Sequence, residues 1–276
     1  MSNPKKRGRK KYIITLVMLS ALGGLWYSAQ DVIATNHSVP VNELAPTLTT
    51  TPADPSKPTA VVAVELTREQ KIEELAKTDH VKLLEFARDA FIDQGVNSYT
   101  WGMQKMEKIN GKRGSYQTLK VKFTQKPFRV AIAIVQGASN LSGDRFVYVE
   151  GKYPDKKTSR AQMIIRPTHK VARFLAGGSV SRLPDCAEAK KASLRPITDA
   201  GFINTFGNLL AVYKAALKRG ECVQRFGGYA KVDGKNCIVL ERFIPVERNG
   251  YPAKLTKIYI ELDTLLPLRV VGWDWT

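Results

Sequence analysis

Histidine, serine and glycine motifs that would carry catalysis or bind metals and phosphates are missing from this sequence. Its three histidines, His37, His80 and His169, stand far apart, with no HExxH pattern or carboxylate spacing that would gather metal ligands on one face. The string GGSVS around Ser179 lacks the GxSxG spacing of a nucleophile elbow, and no phosphate-cradling loop ends in Lys-Ser or Lys-Thr. We therefore expect no catalytic residue, no metal site and no cofactor. The sequence favours a binding protein over an enzyme, and a hydrolase with an unrecognised site is the enzymatic alternative.

Cysteine placement raises the question of a disulfide. The three cysteines are Cys186, Cys222 and Cys237. The pair Asp233-Gly234 predicts a tight turn, which places Cys237 opposite Ala230 and Cys222 opposite Pro245. Those two cysteines then lie about 26 Å apart along the hairpin, too far to bond. A disulfide between Cys186 and Cys222 and three unlinked cysteines both remain open.

Positive charge is in excess, with 43 Lys and Arg against 25 Asp and Glu. Six of these cations precede Asp31, the first acid, and the remainder of the chain is basic in its own right. Four further lysines fall on two neighbouring predicted strands and the turn between them: Lys105, Lys108, Lys120 and Lys122. They form either a solvated outer sheet face or a basic rim that recruits anionic headgroups or acidic envelope polymers.

The apolar segment after the basic cluster predicts a membrane anchor or an export signal. Residues 1–11 form a basic cytoplasmic tail, and residues 12–29, which carry no charge, form a transmembrane anchor or signal segment. Trp26 and Tyr27 resemble an interfacial belt and favour an uncleaved anchor; cleavage after Ala29 or Ala34 is the alternative. A basic arm for nucleic acid would continue into a polar region, so we expect no nucleic-acid partner.

This layout predicts a location as well as an anchor. Because basic flanks stay in the cytoplasm, the chain is expected in a bacterial inner membrane, single-pass, with its body in the periplasm. If the segment is cleaved, the body is secreted to the periplasm. Residues 30–65, rich in Pro and Thr and without an apolar period, are predicted to be an extended linker.

The body, residues 66–276, combines amphipathic helices with alternating strands. The string TREQ at Thr67 predicts a capping box, Thr78-Asp79 a second helix start, and Thr198 or Asp199 the cap of a third helix. The predicted strands are 98–109, 116–125, 128–135, 145–150, 161–166, 170–175, 221–232, 235–245, 255–262 and 266–275. Turns at Asn110-Gly111, Asp233-Gly234 and Asp263-Thr264 connect several of them.

Consecutive strands joined by short turns predict an antiparallel meander, and the helices must bury their apolar faces against it. The predicted fold class is therefore α+β, with a large curved antiparallel sheet wrapped around a few helices. The strand FRVAIAIV is apolar on both faces, and the small side chains on one face leave room for a closely packed helix or for a ligand.

Five sequence blocks resemble a known family when taken in order. They are KPFRVAIAIVQG (126–137), GDRFVYVEGKYPDK (143–156), RPITDAGF (195–202), DGKNCIVLERFIP (233–245) and IYIELDTLLPLRVVGWDW (258–275). Together they resemble the bacterial domain-of-unknown-function family fifteen-seventy-one, over the body from Leu66 onward. That family is similar in architecture to the LolA-like carriers, whose incomplete β-barrel wraps helices and shelters lipid acyl chains.

The resemblance implies a binding module and does not name its ligand. Together with the predicted anchor, it favours a membrane-tethered periplasmic protein that shelters a lipid or lipoprotein acyl chain in an apolar cavity. Its role would be envelope lipid or lipoprotein transport or maintenance. The side chains expected to line this cavity are Ile132, Ile134, Phe202, Phe206, Ile258, Ile260 and Val270. A structural envelope protein that binds peptidoglycan or anionic glycolipid by its basic surface is the alternative from a different class.

Overall fold

The computed structural model describes residues 16–19, 66–137 and 143–275. The predicted tail (1–11), the predicted linker (30–65) and most of the predicted anchor (12–29) therefore lie outside the described residues. Within the described ranges, none of the helices has the length and apolar character needed to cross a membrane.

Helices begin where the sequence predicts at the start of the body. The helices are α1 (Arg68–Thr78), α2 (His80–Asp93), α3 (Lys170–Leu175), α4 (Ala187–Ala192) and α5 (Phe202–Lys218), with a 3-10 helix at Ile197–Asp199. The predicted capping box is confirmed, because the Thr67 hydroxyl accepts from the Gln70 amide and the Gln70 side chain accepts from the Thr67 amide. Asp79 caps α2 by accepting from the Lys82 amide at 3.0 Å.

The strands form one large antiparallel sheet and a small separate hairpin. They are β1 (Leu16–Leu19), β2 (Ser98–Lys105), β3 (Lys108–Ile109), β4 (Lys112–Arg113), β5 (Gln117–Thr124), β6 (Arg129–Gln136), β7 (Gly143–Val149), β8 (Met163–Pro167), β9 (Val180–Arg182), β10 (Val223–Val232), β11 (Lys235–Phe243), β12 (Leu255–Glu261) and β13 (Pro267–Trp273). The sheet order is β10-β11-β12-β13-β1-β2-β5-β6-β7-β8-β9, and β3 pairs with β4 alone. The sheet does not close into a barrel, since β10 and β9 are its two edges. The predicted α+β class is confirmed.

β1 occupies a position between the two halves of the sheet. Val17 pairs with Arg269 of β13 on one side and with Gln104 of β2 on the other. The four residues of β1, Leu16–Leu19, belong to the segment predicted as an anchor. A bilayer-spanning helix through them would remove β1 from the sheet and leave β13 and β2 as edges, so the two arrangements exclude each other. The anchor stays a prediction.

Two predictions about local structure are wrong. Residues 170–175, predicted as a strand, form the helix α3, which connects β8 to β9 at the sheet edge. The sequence VARFL alternates too briefly to require a strand. The cap predicted at Thr198 or Asp199 is also wrong: those residues are in the 3-10 helix, and α5 begins after Gly201.

The hairpin of β10 and β11 has the predicted turn but not the whole predicted register. Cys237 pairs with Ala230, as predicted from Asp233-Gly234. A β-bulge between Phe226 and Tyr229 shifts the register by one residue in the part of the hairpin away from the turn. The predicted alignment of Cys222 with Pro245 is therefore wrong. The cysteines at 186, 222 and 237 are unlinked, which decides the disulfide question left open by the sequence.

One apolar core joins the longer helices to both halves of the sheet. Its buried members come from α1, α2 and α5 and from strands between β10 and β6, and include Ile72, Leu84, Val121, Phe206, Leu240 and Ile258. Because a single set of contacts reaches from β10 to β6, the sheet wraps around the three helices. The sequence predicts this arrangement, because the apolar faces of the helices and of the sheet must be buried against each other.

The N-terminus of α5 is fixed by close contact with the sheet. The Phe202 ring stacks on Tyr99 with ring centres 5.3 Å apart, and the Phe202 amide donates to the Tyr99 hydroxyl at 2.8 Å. Gly201 has a φ of +101°, and a Cβ there would lie 2.6 Å from the Phe123 ring. Glycine is therefore required at this position by both conformation and space.

Replacement of Gly201 by alanine should lower the free energy of unfolding by about 2 kcal/mol, because the methyl group meets Phe123 in an unfavourable backbone conformation. The matched control is Gly207→Ala in the exposed middle of α5, where a Cβ has open space. That control should be stabilising by roughly 0.5 to 1 kcal/mol. Equilibrium denaturant unfolding measures both, and equal effects would contradict the contact.

A buried polar network joins α1, α2 and α5. His80 is fully buried, with Nε2 2.9 Å from the Ala76 carbonyl oxygen and Nδ1 2.9 Å from the Tyr213 hydroxyl. Because a carbonyl only accepts, Nε2 carries the proton and Nδ1 accepts from Tyr213. Burial lowers the pKa of His80 to about 4, although the bond to Ala76 and the charge of Asp79 act in the opposite direction.

Arg242 of β11 is buried beside this network without a carboxylate partner among the described residues. Its guanidinium carbon lies 4.9 Å from the centre of the Tyr213 ring, and Nη2 donates to the Thr256 hydroxyl at 2.9 Å. Within the described ranges, Nε and Nη1 have no hydrogen-bond partner. The aromatic face and the hydroxyl therefore offset part of the cost of burying this charge.

The lowered pKa of His80 predicts a loss of stability in mild acid. Between pH 6.5 and about 4 the unfolded chain binds a proton at His80 that the folded chain does not, so the free energy of unfolding falls as pH falls. This group should contribute a decrease of about 2 kcal/mol between pH 7 and pH 5. The variant His80→Gln cannot titrate and should show a shallower pH dependence by that amount. Identical slopes for the two proteins would refute this assignment.

Candidate functional site

Residues 183–200, here called the cover segment, lie over the inner face of β7, β8 and β9. Ala189 of α4 is buried against a small apolar cluster formed by Phe146, Met163 and Ile165. Ile197 packs against this cluster and against the main core. The cover segment contains only the six-residue helix α4 and the three-residue 3-10 helix, whereas longer helices cover the rest of the sheet.

A cleft of about 500 Å³ opens between the sheet and the cover segment. On the sheet side it is lined by Tyr148, Gly151, Arg160 and Ala161. The cover segment contributes Pro184, Asp185, Pro196 and Thr198. This volume lies within the range of small-molecule sites in proteins.

The loop between β7 and β8 is held by Asp155 and carries Arg160 to the mouth of the cleft. The Asp155 carboxylate accepts from the Thr158 amide at 2.9 Å and from the Thr158 hydroxyl at 2.9 Å. Gln162 donates to the same carboxylate at 3.1 Å. The bonds from Thr158 lower the pKa of Asp155, so the carboxylate stays charged and the loop keeps its shape in mild acid.

An ion pair crosses the mouth of the cleft. Arg160 Nη2 lies 3.0 Å from Asp185 Oδ1, which joins the sheet side to the cover segment. The hydrogen bond from Arg160 lowers the pKa of Asp185. Both side chains are about half exposed, so water screens the pair and it holds the cover segment weakly.

Tyr148 lines the cleft and lies on the inner face of the sheet beside other apolar side chains. Tyr148 pairs with Val130 of β6, and Ile132 pairs with Phe146 of β7, so these residues share the inner face. Ile132, Ile134 and Tyr148 contact both the main core and the cluster under the cover segment. The arrangement therefore combines an apolar floor with a charged mouth.

The predicted cavity residues do not all come together. Phe202, Phe206, Ile258 and Ile260 are buried in the filled main core, and Val270 is half-buried against it. Ile132 and Ile134 alone among the seven lie beneath the cover segment. β12 and β6 are five strands apart in the sheet order, about 24 Å at the usual strand spacing.

The four predicted rim lysines are divided between two environments. Lys120 and Lys122 are exposed on the outer face of β5, where they pair with Ala133 and Ala131. Lys105 instead contacts Glu107 and the Ser193 hydroxyl of the cover segment at 3.0 and 3.1 Å. Lys108 forms an ion pair with Asp274 at 2.6 Å.

The chemistry of the cleft suits binding. Its charged side chains, Arg160 and Asp185, are paired with each other, and no three His, Cys, Asp or Glu side chains within the described ranges are placed to hold a metal ion. The rest of the lining is one aromatic ring, two prolines, an alanine, a glycine and the side chain of Thr198.

Sequence reasoning missed Tyr148, Arg160 and Asp185 as site residues. They stand in three separate stretches of the chain, with no spacing that marks them. One signal was present: Lys156 to Pro184 contains seven Lys and Arg and no acid, and Asp185 is the first acid after it. A lone acid after a basic stretch is a candidate for an ion pair with that stretch.

Comparison with known proteins gives a family and distant structural similarities. The family model described as "Protein of unknown function (DUF1571)" matches residues 96–276, and no curated protein matches the chain. A DUF1329 family protein from Desulfovibrio piger is 16% identical, with a TM-score of 0.36, over 72% of this chain and 75% of that one. A LolA superfamily protein from Nitrosomonas europaea is 10% identical, with a TM-score of 0.22, over 67% of each chain.

The ion pair at the cleft mouth predicts how the cover segment opens. Arg160→Gln should increase amide hydrogen exchange in residues 183–200 by about two- to fivefold, since an exposed pair contributes roughly 0.2 to 1 kcal/mol. The control Lys77→Gln removes an exposed pair with Glu73 on α1 and should leave exchange in the cover segment unchanged. Hydrogen exchange of the full chain, followed by mass spectrometry, measures both variants. Unchanged exchange in the cover segment of Arg160→Gln would show that the Arg160–Asp185 pair does not hold this segment closed.

Proposed function

The chain belongs to the DUF1571 family, and we propose that it is a membrane-tethered periplasmic protein that binds a lipid or the acyl part of a lipoprotein. Its role is in envelope lipid or lipoprotein transport or maintenance. The observation that carries this proposal is the cleft beneath the cover segment, which is lined by Tyr148. Tyr148, Ile132 and Ile134 all contact the small apolar cluster under that segment.

The ligand class follows from the surfaces of the cleft. Tyr148, Pro184 and Pro196 offer apolar contact, whereas Arg160 and Asp185 offer polar contact at the mouth. Each methylene that leaves water for such a floor contributes about 0.8 kcal/mol. Several methylenes are needed to offset the entropy lost on association, which favours a chain over a small apolar group.

Widening of the cleft depends on the cover segment. Its attachments include Ala189 and Ile197 in the small apolar cluster, the Ser193 hydroxyl near Lys105, and the exposed Arg160–Asp185 pair. The exposed pair is the weakest of these because water screens it. Opening on that side would extend the cleft toward Ile132 and Ile134, which contact both the small apolar cluster and the main core.

The tether is the part of the proposal that rests on the sequence. Residues 16–19 would leave the sheet and enter the bilayer as part of the segment 12–29. Residues 30–65 would hold the body on a lead of about 120 Å if fully extended. The basic residues before the apolar segment support an orientation with the body outside the cytoplasm.

A filled main core favours a second candidate function. Phe206, Ile258 and Ile260 are fully buried, so the wide internal cavity expected between the sheet and the helices is occupied by protein side chains. A structural envelope protein that binds peptidoglycan or anionic glycolipid through its basic surface needs no cavity. Lipid uptake distinguishes the two functions.

Filling the cleft should weaken the binding of an acyl ligand. Ala161→Phe places a ring in the cleft and should lower the affinity for a fluorescent fatty-acyl probe by about tenfold or more, because a few buried methylenes are lost. The control Ala211→Phe adds the same ring at an exposed position of α5 and should bind like the wild type.

Probe fluorescence and thermal unfolding are measured on the delipidated full chain and both variants. Unchanged affinity in a folded Ala161→Phe protein would move the site away from the cleft. No uptake of any lipid by the wild type would leave the basic-surface function as the better explanation.

A further inference from the structure

The helix α3 presents large apolar side chains to solvent. Phe174 is 84% exposed, Leu175 78% and Val171 59%. No other large apolar side chain among the described residues is as exposed as Phe174. Three such neighbours within six residues form a projecting apolar tip, here called the α3 tip, and exposed apolar clusters of this kind mark interaction sites.

Polar contacts of Arg173, Asp144 and Arg166, here called the base of α3, hold the α3 tip outward. Arg173 Nε donates to the Pro167 carbonyl at 2.9 Å, and its Nη2 lies 3.9 Å from the Asp144 carboxylate. Asp144 also accepts from Arg166 Nε at 2.7 Å. Arg173 therefore points toward the sheet while Phe174 and Leu175 point away from it. The tip is mounted on β7 and β8 and is not a loose loop.

The end of α3 is closed tightly. The Ala176 amide donates to the Ala172 carbonyl at 3.0 Å, and the Gly178 amide donates to the Arg173 carbonyl at 2.7 Å. Gly177 and Gly178 both have positive φ angles, +63° and +96°. This closure ends the helix directly after Leu175 and keeps the two most exposed side chains at the tip.

The base of α3 carries an excess of positive charge. Arg145, Arg166 and Arg173 surround the Asp144 carboxylate, and Lys170 is exposed on α3 itself. Between Asp155 and Asp185 the chain contains no acid at all. An apolar tip above a cationic base is complementary to a bilayer with anionic headgroups, where apolar burial and electrostatic attraction act together.

We propose that α3 docks the body on an anionic lipid bilayer. The side chains of Val171, Phe174 and Leu175 enter the boundary between headgroups and acyl chains, and Lys170 contacts lipid phosphates. A second copy of the chain fits the charge pattern less well, because the same basic base would face itself in a symmetric contact. This proposal is independent of the cleft and of the ligand proposed for it.

A tryptophan placed at the tip tests the proposal. The variant Phe174→Trp, as the full chain, is mixed with vesicles of phosphatidylcholine and phosphatidylglycerol whose acyl chains are brominated. The added tryptophan emission should be quenched about threefold more strongly in these vesicles than in brominated vesicles of phosphatidylcholine alone. The matched control is Tyr153→Trp, at an exposed aromatic position of the loop between β7 and β8, which should be little quenched in either.

A second pair of variants tests the charge. On the Phe174→Trp background, Lys170→Glu should reduce the quenching by anionic vesicles about threefold, whereas Lys231→Glu on the opposite edge strand should not. Near-ultraviolet circular dichroism checks that each variant is folded. Equal quenching at positions 174 and 153, absence of quenching at 174, or quenching unaffected by lipid charge would each overturn the proposal. A blue shift at 174 that needs no lipid and grows with protein concentration would assign the tip to self-association instead.

Discussion

The contact of Gly201 and Phe202 with the sheet is the constraint on which the other elements depend. Phe202 stacks on Tyr99, and Gly201 allows the backbone to approach the Phe123 ring. This contact fixes where α5 crosses the sheet, so it fixes which residues of α5 meet α2 and β11. It also fixes the end of the cover segment, which reaches Gly201 directly from the 3-10 helix. The cleft therefore owes its shape to the packing of α5.

Periodicity in the sequence predicts most of this fold because each element carries its own pattern. The alternation in β5, the capping box at Thr67 and the turn at Asp233-Gly234 are local signals, and the structure has all three. The bulge between Phe226 and Tyr229 is also marked locally by two glycines, but glycines alone do not say where the register shifts. The strand predicted at residues 170–175 was wrong because a six-residue stretch with four apolar side chains fits a short helix as well as a strand.

The candidate site is less predictable because it is made by contacts between distant parts of the chain. Ile132 and Ile258 look alike in sequence, yet one lies under the cover segment and the other in the filled core. That difference depends on what covers each half of the sheet: long helices on one side and residues 183–200 on the other. Lys105 illustrates the same limit, since its neighbour Ser193 is 88 residues away.

The site proposed for bilayer docking and the cleft proposed for ligand binding lie at different ends of β8. β8 has the α3 base at its C-terminal end and the cleft, at Ala161, next to its N-terminal end, with five residues or about 16 Å between them. A body docked by α3 would therefore hold the mouth of the cleft away from the headgroups. Transfer of a lipid from the bilayer would then need the cover segment to open along the sheet toward α3, over Phe146 and Ile165. These residues are apolar and form one cluster with Ala189, so a route between the two proposed sites along β8 runs under the cover segment.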